Sequence, residues 1–165
     1  MDVRPARPED AAAIAAAHVR TWQAAYEPVF GAERLAVLDE QLPARVERWE
    51  RLLREEQGIW VAEEEGRVVG FVGWGPSRDE GAEGELYSLY VVPEAWGGGA
   101  GAALMAVARD ELRAGYGESI LWVLEDNPRA RRFYEREGWV ADGGRKTDTF
   151  LGLEVGEVRY RLPAA

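Results

Sequence analysis

Leu89-Tyr90-Val91-Val92-Pro93-Glu94-Ala95-Trp96-Gly97-Gly98-Gly99-Ala100-Gly101 runs from an apolar, β-prone stretch through a proline into a cluster of glycines. The residues from about Gly99 to Ala114 read as a helix, with Leu104, Val107 and Leu112 on one face. A strand, a short connection, glycines and then a helix describe an anion site. Glycine permits unusual dihedrals and close ligand approach, which leaves successive backbone N–H groups pointing outward at a helix N-terminus. A pyrophosphate is the natural occupant. Gly97 to Ala102 also matches the dinucleotide pattern G-x-G-x-x-A. Two features count against that reading. Pro93-Glu94-Ala95-Trp96 separates the glycines from their strand, and the strand does not open the domain.

Upstream, Glu85 to Val92 is the most β-prone segment and belongs at a sheet centre. Gly58 to Glu63 and Arg67 to Trp74 read as antiparallel strands around the tight turn Glu64-Glu65-Gly66, with a loop over Gly75 to Asp79. Val3 to Arg7 forms a first strand closed by Pro8. Ala11 to Ala25 is helical, with Ile14, His18, Trp22 and Tyr26 recurring as a stripe, and Pro28 and Gly31 break that helix. A short helical piece spans Glu33 to Leu38, and Pro43 opens a helix through Glu56. Downstream come a strand Ser119 to Leu124, a helix Pro128 to Glu137 ended by Gly138, and final strands at Trp139 to Ala141 and Gly156 to Leu162. No repeat or long linker divides the chain. The expectation is one α+β domain over residues 1–165, with a mostly antiparallel central sheet and flanking helices.

Composition narrows the function. The 165 residues carry 47% hydrophobic and 30% charged side chains, an ordinary globular balance. A formal net charge of −10 argues against nucleic-acid binding and favours cationic small molecules such as amines. With no cysteine and one histidine, thiol chemistry and thiolate metal sites are excluded, and no metal is expected. No apolar run approaches the roughly 20 residues of a membrane span, and the N-terminus lacks a secretory signal, so a cytoplasmic location is the default.

The quoted stretch resembles the central motif of the GNAT superfamily of N-acetyltransferases, an apolar strand and proline followed by Q/R-x-x-G-x-G/A before a helix. Gly99 and Gly101 fall on pattern, whereas Trp96 stands where Gln or Arg is usual. Asn127, Ala130, Phe133, Tyr134, Gly138 and Trp139 resemble the family's second signature, N-x-x-A-x-x-F/L-Y-x-x-x-G-F/W. Asn127 and Tyr134 are seven residues apart, so they differ by only about 20° around their helix. Asn127 before Pro128 also suits a helix cap.

The resemblance implies acetyl-CoA as co-substrate and direct transfer of its acetyl group to an amine. Gly97, Gly98, Gly99, Ala100, Gly101 and Ala102 would hold the pyrophosphate, and splayed backbone at Leu89, Tyr90 and Val91 the pantetheine arm. Asn127 would bond the pantetheine amides, Tyr134 would protonate the departing thiolate, and Trp22 and Tyr26 would either wall the acceptor cleft or pack as core along their stripe. An amine of pKa about 10.4 is neutral only about once in 2,500 molecules at pH 7, so a base is worth having. Glu85, fourteen residues before Gly99, stands where histone-acetylating members place their catalytic glutamate. Other members place a glutamate five residues before the asparagine, where this chain has Trp122. His18 reads as a packed or partly exposed histidine, and the arginines at 129, 131, 132 and 136 as mostly a solvated face. The acceptor is a small-molecule amine, a protein N-terminus or a lysine; a homodimer accords with the many dimeric relatives. A GNAT-fold module that binds acyl-CoA without turning it over is the alternative.

Overall fold

The structure, a computed structural model, describes residues 1–55 and 58–164. Its contacts gather into two compact units, Met1–Gly73 with Ser88–Ala108 and Trp74–Tyr87 with Arg109–Ala165.

In the first unit the strands follow the order β1-β2-β3-β4, where β1 is Asp2–Pro5, β2 Ile59–Glu64, β3 Arg67–Pro76 and β4 Gly84–Val91. β1 pairs antiparallel with β2 and β2 with β3. The β2–β3 turn has φ of 50° at Glu65 and 77° at Gly66, the double positive φ whose twist suits a two-residue hairpin. Helix α1 (Ala11–Phe30) is entered through a turn in which the Asp10 carboxylate accepts the Arg7 N–H at 2.8 Å and pairs with Arg4 at 2.8 Å. The expected break at Pro28 does not occur: the helix continues to Phe30 and stops at Gly31, φ 79°. A proline this near the C-terminus removes one ladder bond, while burial of Tyr26 and Phe30 holds the last turn in place.

The expected piece at Glu33 to Leu38 is two short helices, α2 (Ala32–Leu35) and α3 (Val37–Glu40), and α4 runs over Leu42–Glu55. Its expected last residue, Glu56, lies outside the described residues. Ile14, Ala17, Ile59, Val61, Phe71 and Val92 form this unit's core, with Trp49, Leu53 and Tyr90 packed on it. Each large apolar side chain buried there contributes about 1.5–3 kcal/mol.

The second unit has the strand order β4-β5-β7-β6, with β5 at Ser119–Leu124, β6 at Val140–Phe150 and β7 at Leu153–Leu162. β5 pairs parallel with β4 at only Gly84↔Ser119 and Glu85↔Ile120, yet antiparallel with β7 along its whole length. The seven strands are thus mostly antiparallel, and with the helices they make the mixed α/β class the sequence implies. α5 (Ala100–Gly115), counted with the first unit as far as Ala108, buries Leu104, Met105, Ala108 and Leu112; Val107, expected on that face, is only half-buried. α6 is Pro128–Arg136.

The last hairpin differs from the sequence reading. β6 extends to Phe150 and turns through Leu151 (φ 52°) and Gly152 (φ 78°) into β7. Most of β6 is exposed, so it lacks the apolar alternation that reveals a strand. Pairing with β7 supports it, as does Asp142, which accepts from Arg159 at 2.7 Å and Arg161 at 3.2 Å beside a register shift after Ala141.

Candidate active site

The glycine turn is built by its connection to β4. After the strand, Ala95 N–H donates to Val92 O (3.0 Å), Trp96 N–H to Pro93 O (3.1 Å) and Gly98 N–H to Ala95 O (3.3 Å), which coils Pro93–Ala95 into a tight turn. Gly97 and Gly99 then take φ of 79° and 91°, and a Cβ added at either would meet nothing within 4 Å. Glycine is needed there for its dihedrals, and the space beside it stays open. Ala103 N–H donates to Gly99 O at 3.0 Å, so the amides of Ala100, Gly101 and Ala102 precede the helical ladder. These donors, at the positive end of a 16-residue helix, fit a pyrophosphate.

Trp96, the irregular residue of the motif, acts as a tether. Its Nε1–H donates to Val91 O at 2.7 Å, and Thr21 Oγ1–H donates to the same oxygen at 3.1 Å. Leu89, Tyr90 and Val91 are the last residues of β4, half-buried at the first two and buried at Val91.

Trp22 and Tyr26 stand one turn apart on α1, ring centroids 4.6 Å apart. Between Trp22 and the predicted coenzyme strand lies His18, edge-on to Trp22 at 6.2 Å and stacked on Tyr90 at 4.7 Å and 17°. Trp49 and Phe71 complete its aromatic surround. Burial first, then the Arg45 and Arg48 charges, pushes His18 down from 6.5 to about 4, so the ring is neutral at pH 7. Its Nδ1 and the Nε of Arg45 are buried with no hydrogen-bond partner among the described residues. Leaving a buried polar group unbonded costs about 1–3 kcal/mol, more for a charged one.

The sequence reading takes His18 as a packed or partly exposed histidine, which its aromatic surround agrees with, and does not single out Arg45. A signal was present: four and three residues either side of Arg45 stand Gln41, Leu42, Arg48 and Trp49, none a carboxylate, whereas Arg51 has Glu47 and Glu55 and Arg54 has Glu50.

In the second unit Asn127 caps α6, its side-chain oxygen accepting the Ala130 N–H at 3.2 Å. Tyr134 is buried in α6 with its ring 5.6 Å from Phe133 and 6.4 Å from Tyr160. Tyr160 O–H donates to Glu135 at 2.8 Å and accepts from Arg131 at 3.1 Å. Glu85, at the start of β4, is 1% exposed. Both its oxygens are occupied, Oε1 by the Arg78 N–H at 3.0 Å and Oε2 by the Arg78 guanidinium at 2.5 Å. That bond raises the Arg78 guanidinium above its ordinary value. Trp122, where other family members have glutamate, donates its ring N–H to Asp79 at 2.6 Å, with Lys146 Nζ 4.4 Å above the ring. Among the described residues no group of three His, Cys, Asp or Glu is arranged to hold a metal ion, and no helix is long and apolar enough to cross a membrane.

Comparison with known proteins bears on the family and the fold. The model of the acetyltransferase (GNAT) family matches residues 16–139. The uncharacterized N-acetyltransferase YuaI of Bacillus subtilis is 36% identical over 130 residues, 76% of this chain and 73% of YuaI. Among solved structures, a GCN5-related N-acetyltransferase from Rhodopseudomonas palustris superposes with a TM-score of 0.78 at 23% identity, covering 98% of this chain and 94% of that one. YncA from Salmonella typhimurium, solved with its cofactor acetyl-CoA, gives 0.70 at 23% identity over 100% of this chain and 94% of its own.

Proposed function

The chain belongs to the GNAT acetyltransferase family and is an N-acetyltransferase, and on that premise we propose that it transfers acetyl from acetyl-CoA to a primary amine by direct attack. The observation that carries this reading is the glycine turn, with two positive-φ glycines in open space before the amides of Ala100, Gly101 and Ala102. When bound, acetyl-CoA supplies a thioester carbonyl that an amine can attack.

The chain's own groups then have separable tasks. The turn from Gly97 to Ala102 receives the pyrophosphate through its amides, with the Gly98 N–H given to Ala95 O and so shaping the turn. The backbone of Leu89, Tyr90 and Val91 holds the pantetheine arm, and a main-chain N–H there stabilises charge on the acetyl oxygen. Asn127, whose oxygen is committed to Ala130, offers its NH₂ group to a pantetheine carbonyl. Tyr134 holds the proton destined for the departing sulfur. Trp22 and Tyr26 wall the acceptor, which is a small-molecule amine, a protein N-terminus or a lysine.

Glu85 is the carboxylate for the amine proton, and to take it Oε2 has to give up the Arg78 guanidinium. That same bond favours a second reading, in which Glu85 anchors the segment after β3 and water carries the proton away. Replacing Glu85 by Gln separates them: a rate depressed most at low pH supports the base, and a parallel pH profile supports the anchor.

All 165 residues are taken as one catalytic domain, because the family match runs through residues of both units, and the cytoplasm is its proposed compartment. A broad amine screen with free-thiol detection tests the activity. Tight acetyl-CoA binding with no thiol released on any acceptor would return the chain to a non-catalytic acyl-CoA-binding module.

A further inference from the structure

We propose that the acceptor amine carries a carboxylate, received by Arg45 beside the ring of His18. The proposal rests on the acetyltransferase reading and names the substrate class of that site.

Three observations within the first unit converge. Arg45 is half-buried on α4, and its Nε–H has no acceptor among the described residues; only Nη2 is used, towards Gln41 at 3.3 Å. Nδ1 of His18, on α1, is likewise buried without a partner among the described residues. Arg48 lies one turn after Arg45, and no described carboxylate pairs with either, although the chain has 30 acidic residues and a net charge of −10.

Such a cluster is costly without an occupant. Two arginines on one helix face repel, and burial together with Arg48 holds Arg45 below its ordinary value. A carboxylate satisfies the Nε–H, offsets both positive charges, and forms the charge-assisted planar contact that guanidinium makes best. Nδ1 of the neutral imidazole, in its N–H tautomer, donates to the second oxygen.

The position suits the acceptor rather than the coenzyme phosphates. His18 touches Trp22, the expected acceptor wall, and Tyr90, on the strand expected to hold the pantetheine arm. Trp49, four residues after Arg45, packs on the same ring and on Phe71, which fixes the α4 face that presents Arg45. A carboxylate here lies beside the aromatic wall.

The experiment pairs each L-amino acid with its α-amide as acceptor, and in parallel follows the imidazole resonances of His18, the chain's only histidine, as each is added. At least one amino acid should exceed its amide in kcat/KM by about 100-fold and shift the His18 signals at millimolar concentration. Arg45→Gln should collapse that ratio towards one and abolish the shift, while Arg45→Lys restores part of both; thermal melts establish that the variants fold. Thiol release on amides or simple amines with no carboxylate preference would overturn the inference and leave the acetyltransferase reading standing. A His18 shift by amino acids, lost in Arg45→Gln, with no thiol release on any acceptor would do the reverse. No shift with any amino acid would overturn the inference whatever the turnover.

Discussion

The glycine turn of the first unit and helix α6 of the second are proposed to act by opposite means. The turn acts through its main chain: Gly97 and Gly99 hold positive φ in open space, and no side chain is required of them. α6 is proposed to act through side chains, with Asn127 at its cap and Tyr134 buried two turns on. A main-chain site is tolerant of side-chain identity and intolerant of a changed dihedral; a side-chain site is the reverse. On that proposal Trp96, in place of the family's usual Gln or Arg, leaves the main-chain donors of the turn in place. Its contribution is a bond to Val91 O, which positions the turn.

Substitutions test the contrast. The largest effect belongs to Tyr134→Phe, which keeps the ring and removes the proton: kcat should fall by about 10²–10⁴, with acetyl-CoA affinity nearly intact. Unchanged turnover would strip α6 of its chemical role.

Next comes the buried imidazole of the first unit. The unfolded chain protonates His18 below about 6.5, whereas the folded chain resists until about 4. The unfolded state therefore binds more protons in that window, and stability falls as pH drops through it by about 3 kcal/mol in all. Denaturant melts from pH 7 to 4 should show this fall, and His18→Phe should flatten it. An unaltered slope in the variant would mean that the imidazole is hydrated.

Gly99→Ala should cost about 1–2 kcal/mol in backbone strain and weaken acetyl-CoA binding roughly tenfold, since φ of 91° is closed to alanine and no clash contributes. Gly98→Ala is the control: its φ is not positive and its Cβ meets Ala95 O at 3.3 Å and Glu64 Oε1 at 4.0 Å, so the effect should be smaller. Equal losses would make crowding, not dihedral freedom, the reason for the glycines. Smallest is Asn127→Ala, expected to cost about 1 kcal/mol of stability through the lost cap.

The parts of this molecule readable from sequence are those where local chemistry and burial agree. β5 lies at Ser119–Leu124 as expected because it is buried at nearly every position, and the Glu65-Gly66 turn declared the β2–β3 hairpin. β6 escaped because an exposed strand held by its neighbour's ladder has no pattern of its own. Pro28 misled because a breaker's effect depends on how many ladder bonds remain beyond it, and here the helix had almost ended. His18 was legible as a packed residue in the stripe of Ile14, Trp22 and Tyr26, but its surroundings were not. Its interest comes from Arg45, 27 residues away in sequence and brought near only by the docking of α4 on α1.

The Val91 carbonyl has a consequence for how the molecule folds. It receives one bond across five residues, from Trp96, and another across 70, from Thr21. The first closes a loop at little entropic cost and can form as soon as the strand does; the second has to wait until α1 docks. Because both converge on one oxygen at the strand's end, the shape of the turn is completed only with the arrival of the distant helix. Amide exchange at Ala95, Trp96 and Gly98, whose N–H groups are bonded within the turn, should therefore report the docking of α1, and Thr21→Val should loosen a turn whose own sequence is untouched.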